Sequence, residues 1–168
     1  KPSAGPRGKL LVIPWGDPHF GMHAWGKEAG QDWDLEIAER VHVAATNLLI
    51  NRAPEATRCL IAGVGDFHHA EYKAQTPTSG HLLDVDSRFQ KMIDVGIRTH
   101  RRVIDIALQK YEYVDLIEMP GNHNPSFSYW HSKCLAAAYE NEPRVRIDLR
   151  TPWYRSYRWG HCLLGFTH

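Results

Sequence analysis

Apolar residues along this chain fall into two alternating patterns, continuous runs and helically spaced stripes. Continuous apolar runs at 10–14 and 59–64 predict two buried strands, the first of them buried on both faces of a sheet, and the mainly apolar segment 114–119 predicts a third strand. Apolar positions three or four residues apart predict helices between them, from about 34 to 51 and from 87 to near 111. This alternation is typical of an α/β fold with a mostly parallel sheet and helices on its faces.

The rest of the chain continues the same scheme. A third helix is predicted over about 128–139, and alternating apolar and polar residues at 145–149 predict a half-buried strand. Segments on either side of Gly160 predict a closing hairpin. The polar segment at 68–86 is predicted to be a long loop, and long loops inside compact domains are usually functional or disordered.

Composition narrows the class of protein. With 168 residues, 43% of them apolar, the chain is expected to form a single domain over 1–168. Its 20 Lys and Arg balance 19 Asp and Glu, so whole-chain charge supplies no strong attraction to nucleic acid or to an anionic membrane. No apolar stretch approaches the roughly 20 residues that span a bilayer, and residues 1–9 lack the apolar region of a signal peptide. A soluble, cytoplasmic protein is therefore expected.

Three short segments carry the candidate chemistry, and each follows one of the predicted buried strands. They are Gly-Asp-Pro-His at 16–19, Gly-Asp-Phe-His-His at 65–69 and Gly-Asn-His-Asn at 121–124. The ends of successive strands assemble one site in an α/β sheet. Carboxylate oxygens, an amide oxygen and imidazoles are ligands that suit manganese, iron or zinc. The sequence therefore predicts a hydrolytic site with two divalent metal ions.

The same segments, in this order, resemble the motifs of the calcineurin-like metallophosphoesterases: Asp-x-His, Gly-Asp-x-x-(Asp/His), Gly-Asn-His-(Asp/Glu) and a later histidine at a strand end. Residues 65–71 and 79–86 are also similar to a phage and bacterial branch related to DNA-repair exonucleases. The resemblance implies a βαβαβ core of a four-layer α/β/β/α sandwich. It also implies a hydrolase of phosphodiester bonds, with nucleic acid as one candidate substrate.

Matching the motifs position by position implies a set of metal ligands. Asp17 and His19 would bind the first ion, and Asp66 would bridge both ions. Asn122 and His168 would bind the second ion, with Asn122 also bordering the substrate. A bridging carboxylate is physically reasonable because one anion offsets the repulsion between two dications.

The resemblance also implies roles beyond metal binding. His123 would lie beside the phosphate as a leaving-group acid or transition-state donor, so that Asp66 and His123 are the implied catalytic residues. His69 either contacts the substrate, orients a ligand, or is a structural surface histidine. His68 is expected to be solvated, and His100 is expected to be a histidine at the edge of the core.

One family motif, the final Gly-His-x-His, is absent from these 168 residues. The favoured interpretation is a domain that continues past His168 and lacks its last strands here. The alternatives are a phosphomonoesterase or small-molecule phosphodiesterase, and a non-catalytic scaffold with an incomplete metal site. No membrane partner is expected, and the oligomeric state is left open.

Overall fold

The computed structural model describes residues 8–71, 82–86 and 88–168. Its main sheet contains four parallel strands that lie side by side in chain order: β1 (Leu10–Trp15), β2 (Arg58–Gly63), β3 (Tyr113–Glu118) and β4 (Val145–Ile147). Leu10 of β1 pairs with Arg58, which pairs with Tyr113, so the first three strands begin in register. The predicted parallel sheet is confirmed.

The helices occupy the connections between these strands. They are α1 (Gly26–Ala29), α2 (Leu35–Arg52), α3 (Phe89–Leu108) and α4 (Phe127–Ala138). Asp34 is the N-cap of helix α2, and its side chain accepts the Ile37 N–H at 2.7 Å. The predicted start of the second helix, Ser87, and residues 72–81 of the predicted long loop lie outside the described residues.

The two faces of the sheet are covered by different elements. On one face Ile13, Ile61 and Leu116 pack with residues of α2, α3 and α4. On the other face Leu60 and Ile117 pack against the antiparallel hairpin formed by β5 (Arg155–Trp159) and β6 (Cys162–Phe166). Both faces of β2 and β3 are thereby buried, which explains the continuous apolar run of β2, while β3 buries Asp115 and Glu118 among its apolar residues.

The prediction of helices on both faces of the sheet is wrong for the described part of the chain. Strands that follow one another in chain order, each joined by a right-handed crossover, place all their connecting helices on the same face. The hairpin β5–β6 covers the opposite face instead. Among the described residues, no helix combines the length and apolar character needed to cross a membrane.

Candidate metal centre

The backbone turns sharply where β1 and β2 deliver their polar residues. Asp17, His19 and Asp66 have φ angles of 43°, 44° and 45°, and they are the described non-glycine residues with positive φ. This left-handed conformation is unfavourable for residues with a Cβ, and it persists where surrounding contacts enforce it. One such contact joins the two turns, since the His19 N–H donates to the Asp66 carbonyl at 3.0 Å.

His168, two residues after β6, contacts three of the side chains that were predicted from different motifs. Its Nε2 lies 3.0 Å from Asn122 Oδ1 and 3.5 Å from Asp66 Oδ2. Its Nδ1 lies 3.7 Å from Asp17 Oδ1. We call Asp17, Asp66, Asn122 and His168 the oxygen-rich group, because three of its four members offer oxygen ligands.

The hydrogen bonds of the His168 ring show which of its nitrogens faces the oxygens of this group. Its Nδ1 lies 2.9 Å from the Val64 carbonyl oxygen, which can only accept, so Nδ1 carries a proton. In the neutral ring Nε2 then carries a lone pair, which faces the oxygens of Asn122 and Asp66. A cation placed between these three atoms would be bound by one imidazole nitrogen and two oxygens. The donor set therefore fits a divalent cation.

Three imidazoles form a second group beside the first. One ring nitrogen from each of His19, His69 and His123 lies within 4.8 Å of the others. His19 Nδ1 and His69 Nδ1 are 3.1 Å apart. Burial lowers the pKa of His19, and the neighbouring His123 lowers it further. This three-histidine group can hold a metal ion, and it includes His69, for which the sequence left a structural surface role open.

Asp66 connects the two groups. Its Oδ1 accepts the backbone N–H of His123 at 2.8 Å, while its Oδ2 faces His168. The structure thus gathers every residue in the predicted metal-ligand set at the carboxyl ends of the strands, but in an arrangement that pairs His19 with His69. The roles of these residues as ligands remain predictions.

Two glycines allow this close approach. A Cβ at Gly65, where φ is 112°, would overlap the His168 ring. A Cβ at Gly121 would overlap the carboxylate and the backbone nitrogen of Asp66. The glycines that precede Asp66 and Asn122 in the sequence therefore have a packing reason to be glycine.

Sequence reasoning missed Glu71, which joins two of the site loops. One Glu71 oxygen accepts the backbone N–H groups of Ser126 at 2.8 Å and Phe127 at 3.0 Å, at the start of α4. These are N–H groups that a helix leaves without partners in its first turn. The contact ties the loop that carries His69 to the loop that carries His123. The only sequence signal is an acidic residue two positions after His69, which is too common to be decisive.

Beneath the site lies a buried polar cluster of His68, His100, His131 and Glu118. The expectation that His68 is solvated is wrong, since its side chain is fully buried. His100 Nδ1 lies 2.8 Å from His131 Nε2, and His100 Nε2 lies 3.7 Å from Glu118 Oε2. Burial raises the pKa of Glu118 to about 8 and lowers that of His131 to about 3. His100 is inside the core rather than at its edge.

Comparison of this chain with protein-family models, with curated proteins and with solved structures finds no match. Function must therefore be inferred from the residues and their geometry.

Proposed function

We propose that this chain is a metal-dependent phosphoesterase that hydrolyses phosphodiesters, with nucleic acid among its candidate substrates. The observation that carries the proposal is the meeting of Asp17, Asp66 and Asn122 around the His168 ring. These residues come from the three motif segments and from the segment after β6, and Asn122 and His168 are 46 positions apart in the sequence. Their order and residue types agree with the motif resemblance.

The finer fold assignment is part of the same proposal. The β5–β6 hairpin packs on the face of the main sheet opposite the helices. This arrangement of helices, parallel sheet and second sheet supports an α/β/β order of layers, to which the four-layer α/β/β/α sandwich would add one layer of helices.

Two divalent cations, such as manganese, iron or zinc, would use the residues as the resemblance implies. Asp17, His19 and Asp66 would hold one, and Asp66, Asn122 and His168 the other. When bound, such ions neutralise phosphate charge and lower the pKa of water. Among the residues themselves, Asp66 keeps its two carboxylate oxygens directed to different sides, one toward the His123 N–H and one toward His168.

His123 is oriented for a role at the substrate. Its Nδ1 lies 2.7 Å from the His69 carbonyl oxygen and therefore donates a proton to it. Nε2 is then the nitrogen that can hold or release a proton, and a histidine placed in this way supplies about 10²–10⁴-fold in rate as a general acid. In the resemblance this proton goes to the leaving group.

The test is hydrolysis of bis(p-nitrophenyl) phosphate with and without manganese, together with manganese binding by calorimetry. We expect metal-dependent release of nitrophenol that Asp66→Asn abolishes along with metal binding. His161→Gln, at an exposed position outside both groups, is the matched control and should leave both unchanged. A protein that binds manganese but hydrolyses neither this diester nor p-nitrophenyl phosphate would contradict the proposal and favour the non-catalytic alternative.

A further inference from the structure

Glu71 lies where the loop that carries His69 meets the loop that carries His123. Its side chain is buried, with an exposed fraction of 7%. One oxygen accepts the N–H groups of Ser126 at 2.8 Å and Phe127 at 3.0 Å, and the other has no hydrogen-bond partner among the described residues. A buried carboxyl group is costly unless it is hydrogen-bonded. The Glu71 side chain is therefore held by the start of α4.

A second hydrogen bond joins the same two loops. The His123 ring donates its Nδ1 proton to the His69 carbonyl at 2.7 Å. The acceptor lies two residues before Glu71, and the donor lies three residues before Ser126. The two contacts and the short chain segments between them form a closed ring. Within this ring, the length of the Glu71 side chain sets the separation of the loops that the His123 imidazole bridges.

Each of the two loops also has an anchor of its own. The His69 N–H donates to the Phe20 carbonyl at 2.9 Å, which ties its loop to the segment after β1. On the other side, α4 buries the side chains of His131 and Leu135. Glu71 therefore connects two anchored segments, and a change in the reach of its side chain would shift one segment relative to the other.

We propose that Glu71 is a positioning residue, which holds the His69 carbonyl where it orients the His123 ring toward the leaving group. This inference rests on the proposed function, in which His123 gives a proton to that group. Glu71 itself does not touch the substrate, and it acts through the length of its side chain rather than through its charge. A misplacement of about 1 Å at a reacting group can lower the rate about 10²-fold.

Two substitutions at residue 71 separate length from charge. Glu71→Asp keeps the charge but shortens the side chain by one methylene, so its carboxylate cannot reach both N–H groups unless the loop moves. Glu71→Gln keeps the length and an acceptor oxygen but removes the charge. We expect Glu71→Asp to impair His123 and Glu71→Gln to preserve it. Glu112→Asp, at an exposed position on the turn before β3, is the matched control.

Hydrolysis of two diesters with manganese measures the effect on His123. Phenolate leaves less readily than nitrophenolate, so diphenyl phosphate depends more on a proton donor than bis(p-nitrophenyl) phosphate does. Glu71→Asp should lower kcat for diphenyl phosphate about 10–100-fold. It should change kcat for the nitrophenyl diester, and manganese affinity measured by calorimetry, by less than about threefold. Glu71→Gln and Glu112→Asp should keep both activities.

Nitrogen NMR of the metal-free chain gives a readout that needs no activity. The shifts of the His123 ring report which nitrogen of the neutral ring holds the proton. We expect the Nδ1-protonated form in the unmodified chain and in Glu71→Gln, and a mixture of the two forms in Glu71→Asp. Circular dichroism establishes that each variant is folded before it is compared.

Three results would overturn the role of Glu71. One is an equal loss of both diesterase activities together with manganese binding in Glu71→Asp, which would show a merely structural residue. Another is a selective loss in Glu71→Gln, which tests the proposal even where Glu71→Asp does not fold. The third is an unchanged His123 proton position in folded Glu71→Asp. If the unmodified chain hydrolyses neither diester, the proposed function is contradicted, and the NMR measurement still decides whether Glu71 positions the ring.

Discussion

Replacing Glu118 with glutamine tests the electrostatics beneath the candidate site. The Glu118 side chain is buried, and neither of its carboxyl oxygens has a hydrogen-bond partner among the described residues. Burial raises its pKa from 4.5 to about 8, so the folded protein holds this carboxyl group protonated at neutral pH. Glutamine has nearly the same shape as a protonated glutamate but cannot ionise. The variant therefore removes the titration while keeping the packing.

The sign of the effect follows from proton uptake. Between about pH 4.5 and 8 the unfolded chain releases the Glu118 proton and the folded chain keeps it, so the free energy of unfolding falls as pH rises. The free energy of unfolding then falls by up to ~1.4 kcal/mol per pH unit. Integrated between about pH 5 and about pH 7.5, Glu118 costs on the order of 3 kcal/mol of stability.

His131 acts in the opposite sense at lower pH. Burial lowers its pKa from 6.5 to about 3, so its contribution to stability is lost as pH falls from about 6.5 toward 3. His100, whose pKa burial also lowers, adds to this loss. Above about pH 6.5 the two histidines are neutral in the folded and in the unfolded chain. They then no longer offset the fall in the free energy of unfolding that Glu118 causes as pH rises.

Urea unfolding of the unmodified chain and of Glu118→Gln at about pH 5 and about pH 7.5 measures the difference. We expect the stability of the variant relative to the unmodified chain to rise by about 3 kcal/mol between the two pH values. Glu112→Gln, at an exposed position on the turn before β3, should show no such rise. Parallel pH profiles for the unmodified chain and Glu118→Gln would refute the assignment of a neutral buried carboxyl group.

Two further substitutions test contacts described above. Gly121→Ala should abolish manganese binding and lower the free energy of unfolding by about 1–3 kcal/mol, because the added Cβ would overlap Asp66. Calorimetry measures the loss of manganese binding, and thermal unfolding measures the loss of stability. Asp115→Asn should lower the free energy of unfolding by about 1–3 kcal/mol, measured with urea, because the buried carboxylate accepts from Tyr157 and pairs with Arg58 and Arg146, whose exposed guanidinium water can solvate in the variant; an unchanged midpoint would contradict this.

The sheet is the part of the structure that the sequence predicts best. The segments at 10–14, 59–64 and 114–119 match β1, β2 and β3 to within one residue at each end, because strands buried on both faces are mainly apolar, although β3 also buries Asp115 and Glu118. The predicted helix start at about residue 34 agrees with α2, which Asp34 caps. The fourth strand is less well predicted, since β4 ends at Ile147 and excludes Leu149.

The sequence predicts where the candidate site lies but not which of its side chains lie next to one another. Strand order dictates that residues after β1, β2 and β3 meet at one edge of the sheet. The left-handed backbone conformation at Asp17 and His19 then redirects their side chains. The spacing of hydrophobic residues along the sequence does not predict such a conformation. This is why the pairing of His19 with His69 emerges only from the three-dimensional arrangement.

The buried histidines were unpredictable for a different reason. A histidine in a polar segment, such as His68, has the same sequence signature whether it is solvated or inserted into the core. The space for it is made by Gly96 on α3, where a Cβ would lie 2.7 Å from His68 Nε2. Because α3 and the loop are distant in sequence, the complementarity between glycine and imidazole appears only after the helix has packed on the sheet.

Asp66 explains why these features occur together. Its backbone adopts a strained conformation, its carbonyl accepts from the His19 N–H, and its two carboxylate oxygens contact different partners, the His123 N–H and the His168 ring. Because its carbonyl oxygen and its two carboxylate oxygens face three different segments of the chain, Asp66 cannot relax without moving them. The buried side chains of Phe67 and His68, which follow immediately, anchor this residue to the core. The strain at the site is therefore sustained by packing beneath it, and changes in that core should reach the proposed metal ligands through residue 66.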